Sequence, residues 1–443
     1  MKEPQDQREQ TSIPKHKIGR AASLAGAGVR VGVNYLKYYG KKKLTGKDEK
    51  DRFHELTAAE TYSTFSKLKG GPLKLAQMLS MDRNLIPEQY VDEFSKAQYS
   101  APPLSFPLVV NTFVKDVGKK PGELFDAFTH KAVAGASIGQ VHRAEKDGKS
   151  YAVKVQYPGV ADSLKSDLAI VKPIAMKLFQ LDAKAIEPYL KEVEARLLEE
   201  TDYELELRRS VELAKSSEEL PGTRFPAYFP ELSSKRILSM EWVEGYLLDV
   251  YANSTASQEE KTRIAQTLWD FYHHQIHGLR LFHADPHPGN FKVHEGELWV
   301  LDFGCVKELS NEFYRTYFQL LNPDVFRDEE KLKPVLYEVG LLLKSDSPHE
   351  VRKLMQVFQE SIELLARPFV HGQFDFGDEA YFKELADFGE RTRKDEELQQ
   401  LNTSRGNADA LYLNRTYFGL YNLVGSLGAT VKTRMPDFSV FTA

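Results

Sequence analysis

Residues Phe282 to Gly304 constrain this 443-residue chain more than any other stretch. They read F-H-A-D-P-H-P-G-N-F and then, after a short interval, L-W-V-L-D-F-G. Pro286, Pro288 and Gly289 keep the segment around Asp285 out of helix, so Asp285 and Asn290 belong to one irregular loop. Phe291-Lys292-Val293 and Leu298-Trp299-Val300 flank His294-Glu295-Gly296-Glu297, a pattern for a short hairpin turning near Gly296. Asp302 ends the apolar run that begins at Leu298. An Asp, an Asn at plus five and an Asp-Phe-Gly after a hairpin form one arrangement, and the rest of the chain is read by what it adds.

The layout is that of a kinase catalytic loop followed by a metal-binding Asp. The length allows two or three domains and a sizeable core. The formal net charge of −5 gives no reason to expect nucleic acid. A single cysteine, Cys305, excludes an internal disulfide framework and fits a reducing compartment. No apolar run reaches the roughly 18 residues of a membrane-spanning helix. The polar start Met1-Lys2-Glu3-Pro4 is unlike a secretory or transit signal, so the expected compartment is a bacterial-type cytoplasm.

Residues 15–47 carry nine Lys or Arg and no Asp or Glu. Two readings stand for them: a basic segment touching anionic lipid at the inner membrane surface, or a solvated arm. From Asp48 to His130 the period is helical, with Phe53, Leu56, Ala58, Tyr62 and Phe65 recurring at three- and four-residue steps. Gly70-Gly71-Pro72 ends one helix and starts another, which puts Lys74 and Gln77 on one face.

The period then changes. Ala132 to Val141 and Ser150 to Gln156 read as strands, with Asp147-Gly148 as their turn. Aligned on Val141, a glycine-rich G-x-G-x-x-G-x-V loop becomes Ala134, Ala136 and Gly139, of which only the last is Gly. Lys154 follows Val141 by thirteen residues, where V-A-I-K carries its lysine. Helix is expected from about 160 to 215, its buried stripe formed by Leu190, Val193, Leu197, Leu207 and Val211. Asp202 and Glu206 lie one turn apart, suited to meeting a cation such as Lys154. Arg236 to Gly245 reads as a strand running into a hinge. Residues 258–282 read as a helix, and from 310 to about 433 the chain reads as wholly helical. Asp-Phe-Gly recurs at Asp375 and Asp387, where surface turns are expected.

Five motifs in order resemble the UbiB/AarF/ADCK family of atypical kinase-like proteins over about residues 50–310. They are Lys74-Leu75-Ala76-Gln77, the loop Ala134-Gly135-Ala136-Ser137, Glu200-Thr201-Asp202, His283 to Asn290, and Asp302-Phe303-Gly304. The resemblance implies an α+β, protein-kinase-like two-lobed fold with ATP and Mg²⁺ between the lobes. By position it gives ATP binding to Ala134, Gly135, Ala136, Ser137, Gly139, Val141 and Lys154, to Glu206 as the partner of Lys154, and to hinge residues Glu241 and Val243. Asn290 and Asp302 would hold Mg²⁺, and Asp285 would stand at the catalytic-base position. Lys74, Gln77, Glu200 and Asp202 would regulate or redirect catalysis. Ala76 departs from the family's K-x-G-Q, and Gly135 interrupts its alanine loop.

The expected organisation is a basic segment over 1–48, a helical extension over 49–130, a small lobe with a helical insertion over 131–245, and a helical large lobe over 246–443. The function implied is an Mg²⁺-dependent ATPase or small-molecule kinase serving quinone or isoprenoid-lipid metabolism, with a quinone precursor or other isoprenoid lipid as partner. A non-catalytic ATP-binding sensor and a protein serine/threonine kinase stay open. Against the latter, no A-P-E follows Asp302, and Glu308-Leu309-Ser310 leads straight into helix. The role of Arg415 is also open.

Overall fold

Two tight turns fix where the principal strands pair. Asp147 and Gly148 take positive φ (49° and 72°), as do Glu295 and Gly296 (50° and 76°), the backbone that two-residue hairpin turns need. In the computed structural model these turns close one hairpin in each of two compact units. The structure describes residues 50–68, 104–136, 138–178, 197–401 and 408–435, with a few isolated positions besides. The basic segment 15–47, Lys74, Gln77, Ser137, Leu190 and Val193 lie outside the described residues.

The first unit runs to Arg208 and takes in Ala227–Trp242. Helices α1 (Lys50–Leu68) and α2 (Phe106–Val117) precede its sheet. On α1, Ala58 and Phe65 are buried, whereas Leu56 is exposed. The sheet strands are β1 (Ala127–Phe128), β2 (Ala134–Gly135), β3 (Gly139–Lys146), β4 (Lys149–Gln156) and β5 (Ile237–Glu241), ordered β1-β3-β4-β5 with β2 on β3. All pairs are antiparallel. Because β1 pairs with β3, residues 127–128 belong to the sheet and not to a helical extension reaching 130.

Val109 and Phe113 of α2 pack with Phe125, Tyr151, Val153, Val155 and Ile237. The inward polar residues of β3 are bonded, as burial requires. Gln140 exchanges bonds with the backbone of Leu104 (2.7 and 3.3 Å), and His142 Nδ1 lies 2.7 Å from the Thr129 carbonyl. Helices α3 (Val160–Leu178) and α4 (Tyr203–Ser216) follow. Leu197 is buried as expected and Leu207 partly buried, but Val211 is exposed, so the expected stripe fails at Val211.

The second unit comprises Arg209–Pro226 and the chain from Val243. Its four-stranded sheet joins β6 (Tyr246–Leu247), β8 (Phe291–His294) and β9 (Glu297–Val300) to Thr223–Arg224. A second pairing sets β7 (Leu281–His283) against β10 (Val306–Glu308). Helix α5 (Gln258–His273) opens with a capping box between Ser257 and Glu260. The α-helix expected to reach 282 stops at His273. A π-turn covers His274–Leu279, Arg280 turns the chain at φ 56°, and β7 begins.

Helices α6 (Asn311–Phe318), α7 (Glu329–Glu338), α8 (Pro348–Val370), α9 (Glu379–Lys394) and α10 (Ala408–Ser426) complete the unit. Its last third is not wholly helical: β11 (Phe374–Asp375) pairs with β12 (Thr430–Val431). Of the two extra Asp-Phe-Gly copies, the first forms the expected turn, with Asp375 and Gly377 exposed, and the second does not. Phe376 is buried against Trp269 and Tyr421, and Asp387–Gly389 lies inside α9. No helix among the described residues is long and apolar enough to cross a membrane.

Candidate functional site

Strand β4 carries Lys154 opposite Val141 of β3. Its ammonium lies 2.8 Å from Glu206 Oε1, the two side chains being only 7% and 5% exposed. It also stands 5.1 Å from the centre of the Tyr203 ring. Burial strips both charges of water, and each gives the other the partner that water would have been. Asp202 does something else, its Oδ1 accepting from Leu205 N at 3.1 Å and capping α4. Of the two carboxylates one turn apart, Glu206 meets the cation and Asp202 the helix terminus. Glu200 is buried, and the Thr201 carbonyl beside it accepts from Gln156 Nε2 at 3.0 Å, tying the Glu-Thr-Asp turn to the end of β4.

The alanine-rich loop is narrow. Ala134 pairs with Val141 and Gly135 with Gln140, and Ala136 N donates to the Gly139 carbonyl at 2.9 Å. Gly139 is there for space, because a Cβ would fall 2.5 Å from the Val155 carbonyl oxygen and 2.7 Å from the Tyr203 hydroxyl. Gly135 has nothing within 4 Å of an added Cβ. Glu241 N donates to the Ala227 carbonyl at 2.8 Å, and Trp242, with which the first unit ends, donates to the Ser150 carbonyl at 3.1 Å. Val243 opens the second unit, where its carbonyl accepts from Lys292 Nζ at 2.6 Å.

In the second unit, β7 delivers the chain to Asp285. His283 is fully buried; its Nδ1 meets the Tyr272 hydroxyl at 3.0 Å and its backbone N donates to Gln275 Oε1 at 3.0 Å. Burial holds this imidazole below the ordinary histidine range, with Asp285 and Asp302 pulling the other way. Asn290 Nδ2 donates to the Asp285 carbonyl at 2.9 Å and lies 3.4 Å from Asp285 Oδ2, while Leu301 N donates to the Asn290 carbonyl at 2.9 Å. Asp302 Oδ1 accepts from Gly304 N at 2.7 Å. These bonds fix the loop at both ends of the β8–β9 hairpin.

The donor set suits a hard cation. Asn290 turns its amide nitrogen onto the backbone, which presents its oxygen elsewhere, and Asp302 brings a carboxylate. Oxygen donors of this kind suit a hard divalent cation better than a nitrogen- or sulfur-loving metal.

Three partners escaped the sequence. Arg415 of α10 places Nη2 2.5 Å from Asp285 Oδ1, 130 positions away in the chain. Tyr203 lies under Lys154, and Lys292 holds the Val243 carbonyl. One turn after Arg415, Gly419 stands where an added Cβ would collide with the Pro286 ring.

A buried pair between a lysine of a small antiparallel sheet and a helix glutamate, with an Asp–Asn loop and an Asp-Phe-Gly following a hairpin, defines a kinase-like protein. The family model of the ABC1 atypical kinase-like domain matches residues 96–336. The chain belongs to that family. It is 28% identical over 381 residues to a Dictyostelium discoideum protein named "Probable serine/threonine-protein kinase abkA", covering 81% of this chain and 66% of that one. It is 27% identical to the rat protein named "Atypical kinase COQ8B, mitochondrial", covering 84% and 71%. For a chloroplast relative from Arabidopsis thaliana the share of the relative falls to 40%, so the chain spans only part of such proteins. Among solved structures, Mycobacterium tuberculosis Rv3197 in complex with erythromycin is similar at a TM-score of 0.57 and 25% identity, over 88% of this chain and 96% of that one.

Proposed function

We propose that this chain is an Mg²⁺-dependent ATPase or small-molecule kinase that serves quinone or another branch of isoprenoid-lipid metabolism. The observation that carries the proposal is the buried Lys154–Glu206 pair, the arrangement that protein kinases must have in place for phosphoryl transfer. In this reading Lys154 takes the nucleotide phosphates and the loop Ala134–Gly139 covers them, with Val141 beside it. Glu241 and Val243 supply backbone groups to the base. Asn290 and Asp302 hold Mg²⁺, which neutralises charge on the phosphates when bound. Asp285 orients the attacking hydroxyl or water. Glu200 and Asp202 serve with Lys74 and Gln77 in regulation, Asp202 through the terminus of α4. Residues 15–47 bring the protein to anionic lipid.

Phosphate release from Mg·ATP tests this, measured with and without quinone precursors and anionic liposomes. Turnover that is lost in Asp302→Asn and Asp285→Asn supports an enzyme. Absence of turnover in every condition, with ATP still bound, overturns it in favour of a nucleotide sensor. Liposome flotation of the full chain against a form starting at Asp48 tests the lipid contact.

A further inference from the structure

We infer that Arg415 is the positioning residue for Asp285, and that α10 clamps the loop on which Asp285 sits. The inference rests on the kinase-like reading for its consequence in turnover, and on geometry alone for the clamp. Arg415 Nη2 lies 2.5 Å from Asp285 Oδ1, with the side chains 19% and 29% exposed. The other carboxylate oxygen lies 3.4 Å from Asn290 Nδ2. A carboxylate gripped on both oxygens holds one orientation before any acceptor arrives.

One turn further along, Gly419 meets Pro286 so closely that a methyl group there would collide with its ring. Residues four apart share a helix face, so this face of α10 lies along Asp285-Pro286. The same helix reaches the segment after Asp302. Asp409 Oδ1 lies 3.1 Å from the ammonium of the buried Lys307, which stands 5.2 Å from the Tyr412 ring. A single helix thus holds the Asp285 loop and the strand that follows Asp-Phe-Gly.

The test uses the full chain with Arg415→Gln, the conservative Arg415→Lys, and Arg415→Gln in an Asp285→Asn background. Misplacing a reacting group by an ångström costs about 10²-fold, so Arg415→Gln lowers kcat by about 10- to 100-fold while KM for ATP stays within about threefold. Arg415→Lys recovers part of the loss. In the Asp285→Asn background the further loss is under about threefold, because groups acting as a unit are not additive. Equal losses in both backgrounds overturn the positioning role, as does a loss wholly explained by a smaller folded fraction.

Hydrogen exchange over residues 283–291, read on the same variants and on Gly419→Ala, does not depend on turnover. Opening of that loop rises about tenfold while α8 is unchanged. If the wild type releases no phosphate, the enzyme reading fails by itself and exchange alone decides the clamp. Unchanged exchange at 283–291 overturns the clamp whether or not phosphate is released.

Discussion

The Lys154–Glu206 and Arg415–Asp285 pairs are both charge-assisted contacts between residues far apart in sequence, yet they are built for opposite ends. The first is almost fully excluded from water, with an aromatic ring beside its ammonium. The second is half-buried, and its carboxylate also faces an amide of its own loop. A dry pair holds by making separation expensive, since neither charge can turn to water instead. A partly exposed pair is cheaper to break, since water can take the place of the lost partner. The first contact fixes a scaffold; the second sets an orientation.

Breaking the pairs is the sharpest way to test that contrast. Lys154→Met leaves Glu206 buried without its cation and lowers stability to urea by about 3–5 kcal/mol. Adding Glu206→Leu recovers most of that loss. Failure of the double variant to recover would show that packing, and not the stranded charge, dominates. Gly139→Ala, which forces a methyl against the Val155 carbonyl, costs about 1–3 kcal/mol by overpacking and separates crowding from charge in the same unit. Arg415→Gln costs less, about 1 kcal/mol in unfolding, because water reaches this half-buried pair; a loss as large as that of Lys154→Met would erase the distinction.

The smallest effect concerns burial of neutral histidines in the second unit. Burial pushes His273 down to about 4, with Arg434 and His274 adding to the shift, and pushes His277 well below the ordinary range. His277 is held between the hydroxyls of Tyr314 (2.8 Å) and Tyr417 (3.0 Å). A depressed folded-state value means that the unfolded chain binds more protons between pH 6.5 and about 4. The stabilisation is therefore full above pH 6.5 and is lost as pH falls through that window. Thermal scans of His273→Gln should lose about 2 °C less than the wild type across it; parallel curves would remove the histidine from the account.

The comparison also shows which parts of the site could be read in advance. Pro286, Pro288 and Gly289 announce the Asp285 loop, and Glu295-Gly296 announces the hairpin, because turn chemistry is local. The one-turn spacing of Asp202 and Glu206 points both toward a cation such as Lys154, but only family spacing, and not the 51 intervening residues, selects Glu206 as its partner. Arg415 lay beyond reach, since an arginine in an ordinary helix carries no sign of the loop it will meet. Its register against Asp285 exists only once α10 packs on Pro286. The two-residue strands β11 and β12 were missed for a like reason, being too short for a period to show. Asp202 was set toward Lys154 by its position on a helix face, whereas the need to cap α4 decided its bond.

The three Asp-Phe-Gly copies give the most direct test of the central claim. Asp302 Oδ1 accepts from Gly304 N at 2.7 Å, and Asp375 Oδ1 accepts from Gly377 N at 2.9 Å. Their local turns match, so only the surroundings separate a site residue from a structural one. Phosphate release from Mg·ATP, measured side by side for wild type, Asp302→Asn and Asp375→Asn, decides between them. The account predicts turnover in the wild type, a loss of about 10²-fold or more in Asp302→Asn, and wild-type turnover in Asp375→Asn. Equal effects of the two substitutions, or turnover that survives Asp302→Asn, would contradict it.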